Sequence, residues 1–238
     1  MEETAADAYD DKGRRLKPLM WVALVSIVML FGGLTSGYIV TKADNFWVNF
    51  DLPEMFMIST VLILLSSVTI AMAVKAAKSN QYGKVKLAVF GTFLLGLGFV
   101  GSQYMGWSQL VDEGHFFVGN LVDIKGVYGA DYTIVYNGKS LVYNGKDFYM
   151  PTDSTFKDPI DSRMFNTFNT SSAFLYVLTG VHVAHLGGGL LAMLVVLINA
   201  LRMKYNSKDS VGLEICATYW HFLDGLWIYL YLFLMFIK

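Results

Sequence analysis

The stretch Leu87-Ala-Val-Phe-Gly-Thr-Phe-Leu-Leu-Gly-Leu-Gly-Phe-Val-Gly-Ser-Gln-Tyr-Met-Gly-Trp-Ser-Gln-Leu-Val111 runs for 25 residues without a charged side chain. As a helix it would span about 37 Å, more than the roughly 30 Å hydrocarbon core of a bilayer. A soluble surface helix of that length would carry a charged or strongly polar face, and this one does not. Moving outward, charge-free windows at 18–41, 55–74 and 164–201 are also long enough to span. The last begins Phe165-Asn-Thr-Phe-Asn-Thr-Ser-Ser172, too polar for lipid, so its helix is predicted to start near Ser172. A fifth window, 215–237, is interrupted only by Asp224. The reading is an all-α membrane protein, a bundle of five transmembrane helices.

The composition agrees. The 238 residues are 55% hydrophobic and 16% charged, against roughly 25% charged in a soluble domain. This excludes a disordered chain and argues against a soluble one. A net charge of -1 gives no reason to expect a nucleic-acid partner. The single cysteine, Cys216, cannot form an internal disulfide. The first apolar run is too long for a signal h-region. Its acidic leader, Met1 to Lys12, is unlike a mitochondrial presequence.

Lys and Arg near helix ends set orientation. Lys12, Arg14, Arg15 and Lys17 precede the first span. Lys75, Lys78, Lys84 and Lys86 fill the second link, and Arg202, Lys204 and Lys208 fill the fourth. All three segments fall on one side, which predicts a cytoplasmic N-terminus and an external C-terminus in a bacterial plasma membrane. The chain then divides into a tail (1–17), three spans (18–111), an external insertion (112–165) and two spans (166–238).

Within the insertion, 112–163 holds eight acidic and five basic residues. Val135-Tyr-Asn-Gly-Lys139 recurs as Val142-Tyr-Asn-Gly-Lys146. Asn-Gly flanked by β-branched and aromatic residues is a hairpin signal, so a small β-meander is predicted, turning at Asn137-Gly138 and Asn144-Gly145. Such a unit is marginal alone and is expected to lean on a partner. Tyr132, Tyr136, Tyr143 and Tyr149 are the candidate contact residues, since tyrosine offers apolar area with a polar tip.

An ionisable group at membrane depth costs roughly 2.5–3.5 kcal/mol on insertion scales, so each one is a functional candidate. His182 and His185 lie in the fourth span, three apart. Glu214, His221 and Asp224 lie in the fifth. The fourth and fifth spans share a short link, so they should pack antiparallel, with the two histidines near His221 and Asp224. Three readings compete: a haem or metal site, a proton relay, and a buried polar network that fixes packing. The network is favoured, because interhelical hydrogen bonds are a general device of membrane bundles. Gly33, Gly37, Gly96, Gly98, Gly101 and Gly187-Gly188-Gly189 are read as packing faces.

Two of these segments resemble subunit III of haem–copper terminal oxidases. Leu178-Thr-Gly-Val-His182-Val-Ala-His185 is similar to that family's Thr-Gly-x-His-x-x-His segment. In its last helix, Glu214, Tyr219, Trp220, His221, Phe222, Asp224 and Trp227 match in place. Ser66-Ser67-Val-Thr69 and Gln103 resemble residues of two earlier helices. The family often carries a Glu where this chain has Ile27 and another where it has Gly106, and its outer link is far shorter than 112–163. The resemblance adds Ser66, Ser67, Gln103 and Trp220 to the network of His182, His185, Glu214, His221 and Asp224. It implies a non-redox partner with no catalytic residue, cofactor or metal of its own, although bound phospholipid is compatible with it. Haem a, haem a3 and copper would sit in subunit I and subunit II, in a complex that reduces O2 with electrons from cytochrome c or a quinol and pumps protons. The insertion would meet subunit II, another respiratory complex or a cytochrome c domain.

Overall fold

Exclusion of charge from five segments produces five helices. The structure is a computed structural model that describes residues 2–44, 46–153, 155–160, 164, 167–205 and 209–237. Arg163, Phe165, Asn166 and Lys208, used above, lie outside the described residues. The helices are α1 (Glu2–Asp44), α2 (Glu54–Lys78), α3 (Tyr82–Asp112), α4 (Thr170–Leu201) and α5 (Val211–Phe236). The first four contain stretches long and apolar enough to cross a membrane. At 26 residues α5 is also long enough, but its His, Asp, Tyr and Trp side chains lower its mean hydropathy. The tail read as separate is continuous with the first span, running as helix through Pro18. The fourth helix starts two residues before the predicted Ser172. Asn169 caps it, its side chain accepting from the Ser172 N–H at 3.3 Å.

Cross-helix contacts fix the directions. Gln103 meets Ser59 and Thr92 meets Thr69, so α2 and α3 are antiparallel. Trp107 meets Thr179 and Phe99 meets His182, so α3 and α4 are antiparallel. Gly189 lies against Tyr219 and Trp220, and His182 against Trp227, which sets α4 antiparallel to α5. Contact between α5 and α2 closes a four-helix ring. The remaining helix, α1, packs on α4 and α5 through one narrow stripe, Leu24, Ile27, Phe31, Thr35 and Tyr38, three or four apart.

Glycine matters where helices touch most closely. A Cβ on Gly96 would lie 2.8 Å from the Trp220 ring, and one on Gly106 would lie 2.5 Å from the Phe56 ring. Gly189 is also tight, with Tyr219 at 3.2 Å. The packing role predicted for Gly33, Gly101, Gly187 and Gly188 is not observed, because nothing approaches them within 4 Å. Among that set, the internal contacts fall to Gly37, Gly96, Gly98 and Gly189.

The insertion differs from a single meander. Strand β2 (Tyr132–Tyr136) pairs with β3 (Lys139–Ser140), and also with β1 (Trp47–Phe50) from the link between α1 and α2, Trp47 facing Val135 and Phe50 facing Tyr132. A separate hairpin joins β4 (Val142–Tyr143) to β5 (Phe148–Tyr149). The first repeat turns as predicted, with Asn137 and Gly138 both at positive φ. The second opens into a wider loop, because the Asn144 carboxamide oxygen accepts from the N–H groups of Lys146 and Asp147. Between them Leu141 turns inward and breaks the ladder. Phe46, Val48, Leu121, Ile124, Ile134 and Leu141 form the insertion's own core. The support expected from a partner is thus supplied in part by the chain's own link between α1 and α2.

Candidate functional site

The bundle's polar side chains concentrate where α2 meets α5. Trp220 donates its indole N–H to Ser66 Oγ at 2.9 Å, and Trp227 donates to Thr60 Oγ1 at 2.9 Å. Next to the first of these pairs, Ser67 Oγ lies 2.7 Å from His221 Nδ1. Thr60 and Ser66 are six apart and Trp220 and Trp227 seven, so the two bonded pairs fall nearly two turns apart on antiparallel helices.

One device recurs along this seam. An indole can only donate, and hydrocarbon offers no acceptor, so it needs one on the facing helix. Ser66 gives its own proton to the Ile63 carbonyl and Thr60 to the Phe56 carbonyl, which leaves each hydroxyl free to accept. Ser59 does the same, bonding the Phe56 carbonyl and accepting from Gln103 Nε2 at 2.7 Å. Thr179 bonds the Leu175 carbonyl and accepts from Trp107 at 3.0 Å. Interhelical bonds of this kind contribute about 0.6–2 kcal/mol each. Thr60, Ser59, Trp107, Thr179 and Trp227 were not among the predicted site residues. A tryptophan within a span, in need of an acceptor, was the available signal.

The five ionisable candidates do not form one network. Glu214 stands at the basic end of the bundle, 3.2 Å from Lys78 and 3.7 Å from Lys17, and accepts from Ser210. It joins α1, α2 and α5 and does not reach His221. His182 is fully buried between the rings of Phe99 and Trp227, and neither ring nitrogen has a hydrogen-bond partner. His185 turns toward α1, against Phe31, with Nδ1 on the Val181 carbonyl. Neither histidine joins His221, because α4 directs one into the core and the other toward α1. His221 and Asp224 do adjoin, with 3.9 Å between Nδ1 and Oδ2. Asp224 is buried, but the His221 side chain is 41% exposed on the bundle surface. Among the described residues, no three His, Cys, Asp or Glu side chains cluster as metal ligands would.

At the end of the bundle beside the insertion a cavity of about 690 Å³ opens between helix ends and insertion. Asp51, Glu54, Asp112, Glu113 and Asp131 line it, with Lys125. Burial, with Asp131 and Asp112 nearby, holds the Glu113 carboxyl above its usual range. His115, absent from the predicted site, sits at its wall. It stacks on Phe50 at 4.0 Å, and Tyr176 donates to its carbonyl. Burial pushes its imidazole down to about 4. The folded state therefore binds fewer protons than the unfolded chain between about pH 6.5 and 4. Stability from this group is present above pH 6.5 and lost as pH falls toward 4, on the order of 3 kcal/mol. His115→Phe is expected to flatten that acid limb in thermal melts.

Of the predicted contact tyrosines, Tyr149 is buried beside Phe156 and Tyr136 stacks on Phe46 at 4.2 Å. Tyr132 is half-buried against Tyr128, and Tyr143 is exposed.

Residues 165–238, which contain α4 and α5, match the family described as cytochrome c oxidase subunit III. Cytochrome c oxidase subunit 3 of Bacillus sp. (strain PS3) is 26% identical over 89% of this chain and 80% of its own length. The Corynebacterium diphtheriae protein of the same name is 24% identical over 91% and 85%. These matches support subunit III of haem–copper oxidases as the family of this chain. With four helices long and apolar enough to cross a membrane, it is a multi-pass membrane protein. The matched segment supplies the α5 side of the seam and α2 supplies the acceptors, so the subunit III motifs noted in the sequence meet in space at Ser66, Ser67, Trp220 and His221.

Proposed function

We propose that this chain is the non-redox subunit III of a proton-pumping respiratory oxidase that reduces O2 to water with electrons from cytochrome c. It packs on the catalytic subunit I, near subunit II, and supports assembly and sustained turnover. Haem a, haem a3 and copper belong to those partners, and membrane lipid covers the remaining apolar surface. The observation that carries this reading is the seam, which commits the indoles of α5 and the hydroxyls of α2 to holding helices together. The bundle lies in a bacterial plasma membrane with its basic end, where Lys17 and Lys78 meet Glu214, on the cytoplasmic side. The insertion then lies outside.

A second reading, a quinol oxidase, is favoured by the quinol oxidase subunit 3 of Bacillus spizizenii, 24% identical over 94% of this chain and 88% of its own length. Oxygen uptake by the purified complex separates the two. Reduced cytochrome c should drive it, and uptake with a quinol alone would establish the second reading. An independent haem-binding role would instead give the isolated chain its own Soret band.

On the same reading the insertion makes an outer protein contact through Tyr132, Tyr136, Tyr143 and Tyr149, with Tyr143 the most accessible of them. The acidic cavity steers a basic partner there, a cytochrome c domain or another respiratory complex. Replacing residues 123–155 by a Gly-Ser linker is expected to spare the helical core, whose buried cluster is separate, and to release an outer partner on native gels. Unchanged partner ratios would rule the contact out.

A further inference from the structure

The cavity beside the insertion gathers carboxylates where local physics disfavours them. Asp112 and Glu113 stand at the C-terminal end of α3, whose last turn holds no basic residue. The helix dipole already sets partial negative charge there. Strands β1 and β2 pair with Phe50 facing Tyr132, and one step further the same register sets Asp51 opposite Asp131. Like charges facing each other across a strand pair are destabilising. These four acids and Glu54 line the cavity, against one basic residue, Lys125, among the described residues. The Glu113 carboxyl responds, held above its usual range by burial and by Asp131 and Asp112. Local conflicts of this kind concentrate at functional sites. A bound cation relieves all of them together.

The cavity wall supplies a second, independent observation. His115 is 2% exposed and lines the cavity. Its Nδ1 lies 3.3 Å from Ser172 Oγ, and its Nε2, without a hydrogen-bond partner among the described residues, is the nitrogen left to the cavity. Burial keeps the ring neutral, so it adds no positive charge. With its proton on Nδ1, toward Ser172, the ring presents a lone pair at Nε2. Shape then selects the class of cation. Among the described residues no three His, Cys, Asp or Glu side chains converge as metal ligands would. The negative charge is spread around about 690 Å³, far more than one ion fills. Phe50 and Tyr132, facing neighbours on one side of the sheet, place aromatic surface between the acids. Separated anions with aromatic surface between them suit an elongated cation, its ammonium groups on carboxylates and its methylenes on the rings. We infer that this cavity binds a linear aliphatic polyamine, held by Glu113 and Asp131 at one ammonium and by the Phe50–Tyr132 wall along its chain. Once bound, it screens the acidic charge proposed above to attract a basic partner.

The test is calorimetric titration of spermidine into the complex purified through this full-length chain, with Mg²⁺ as the compact-cation control. One saturable site per chain is expected, not displaced by an equal concentration of Mg²⁺. Replacing both Glu113→Gln and Asp131→Asn keeps the side-chain shapes and should weaken binding about tenfold. Spermidine should raise the melting temperature of the wild-type protein and not that of the double variant, which without ligand should melt no lower than wild type. Absence of a saturable site, equal affinity in the double variant, or displacement by equal Mg²⁺ would each overturn the polyamine site. Binding is read on this chain whichever complex it belongs to, so failure of the site and failure of the oxidase reading are separate results.

Discussion

Gly106→Glu is expected to remove most of the folded protein from the membrane. The Phe56 ring lies 2.5 Å from where a Cβ would stand, and Phe56 is itself fully buried against Trp227. Even Gly106→Ala must move that ring, at a cost of about 1–3 kcal/mol. Glutamate adds several more atoms and a carboxyl group with no designed partner, so the penalty approaches the whole stability of an ordinary domain, about 5–15 kcal/mol. Membrane abundance and thermal unfolding in detergent would show it, with Gly106→Ala intermediate. A Gly106→Glu protein of wild-type stability would mean that Phe56 does not occupy this space. The position is informative because the resemblance drawn from the sequence would set a glutamate where Gly106 stands. Here an aromatic ring from α2 fills the site.

The second large effect is expected at Trp220. Trp220→Ala empties a fully buried site touching Gly96 and Gly189, at a cost of about 3–5 kcal/mol. Trp220→Phe keeps most of the ring and removes only the bond to Ser66, which retains its own bond to the Ile63 carbonyl. That variant should lose about 1–3 kcal/mol at most. The ratio of the two losses, read from thermal melts, separates packing from hydrogen bonding. Equal losses would mean that the indole N–H dominates.

The helices were legible because charge is excluded from each span, and that signal needs no partner information. Their relative direction was equally legible, since consecutive helices that each cross a membrane must alternate. The first Asn-Gly turn was also readable, because a two-residue loop with positive φ at both positions dictates its own geometry. What could not be read is set by contacts between distant segments. Trp47 pairs with Val135 across an interval that holds two helices, and nothing local in Trp47-Val-Asn-Phe50 announces that partner. The same limit applied inside the membrane. Helices that are apolar all round give no face preference, so spacing placed His182, His185 and His221 in one neighbourhood, whereas the structure turns them in three directions. His115 was overlooked because it lies outside the spans, and its burial arises only when β1 brings Phe50 over it.

The most direct test is purification through an affinity tag on this chain from membranes solubilised in mild detergent, followed by a reduced-minus-oxidised spectrum and oxygen uptake. Stoichiometric co-elution with a haem-bearing, oxygen-consuming complex is the expected result. A chain that elutes without haem-bearing partners, or that carries a Soret band of its own, would contradict its assignment as a non-redox oxidase subunit.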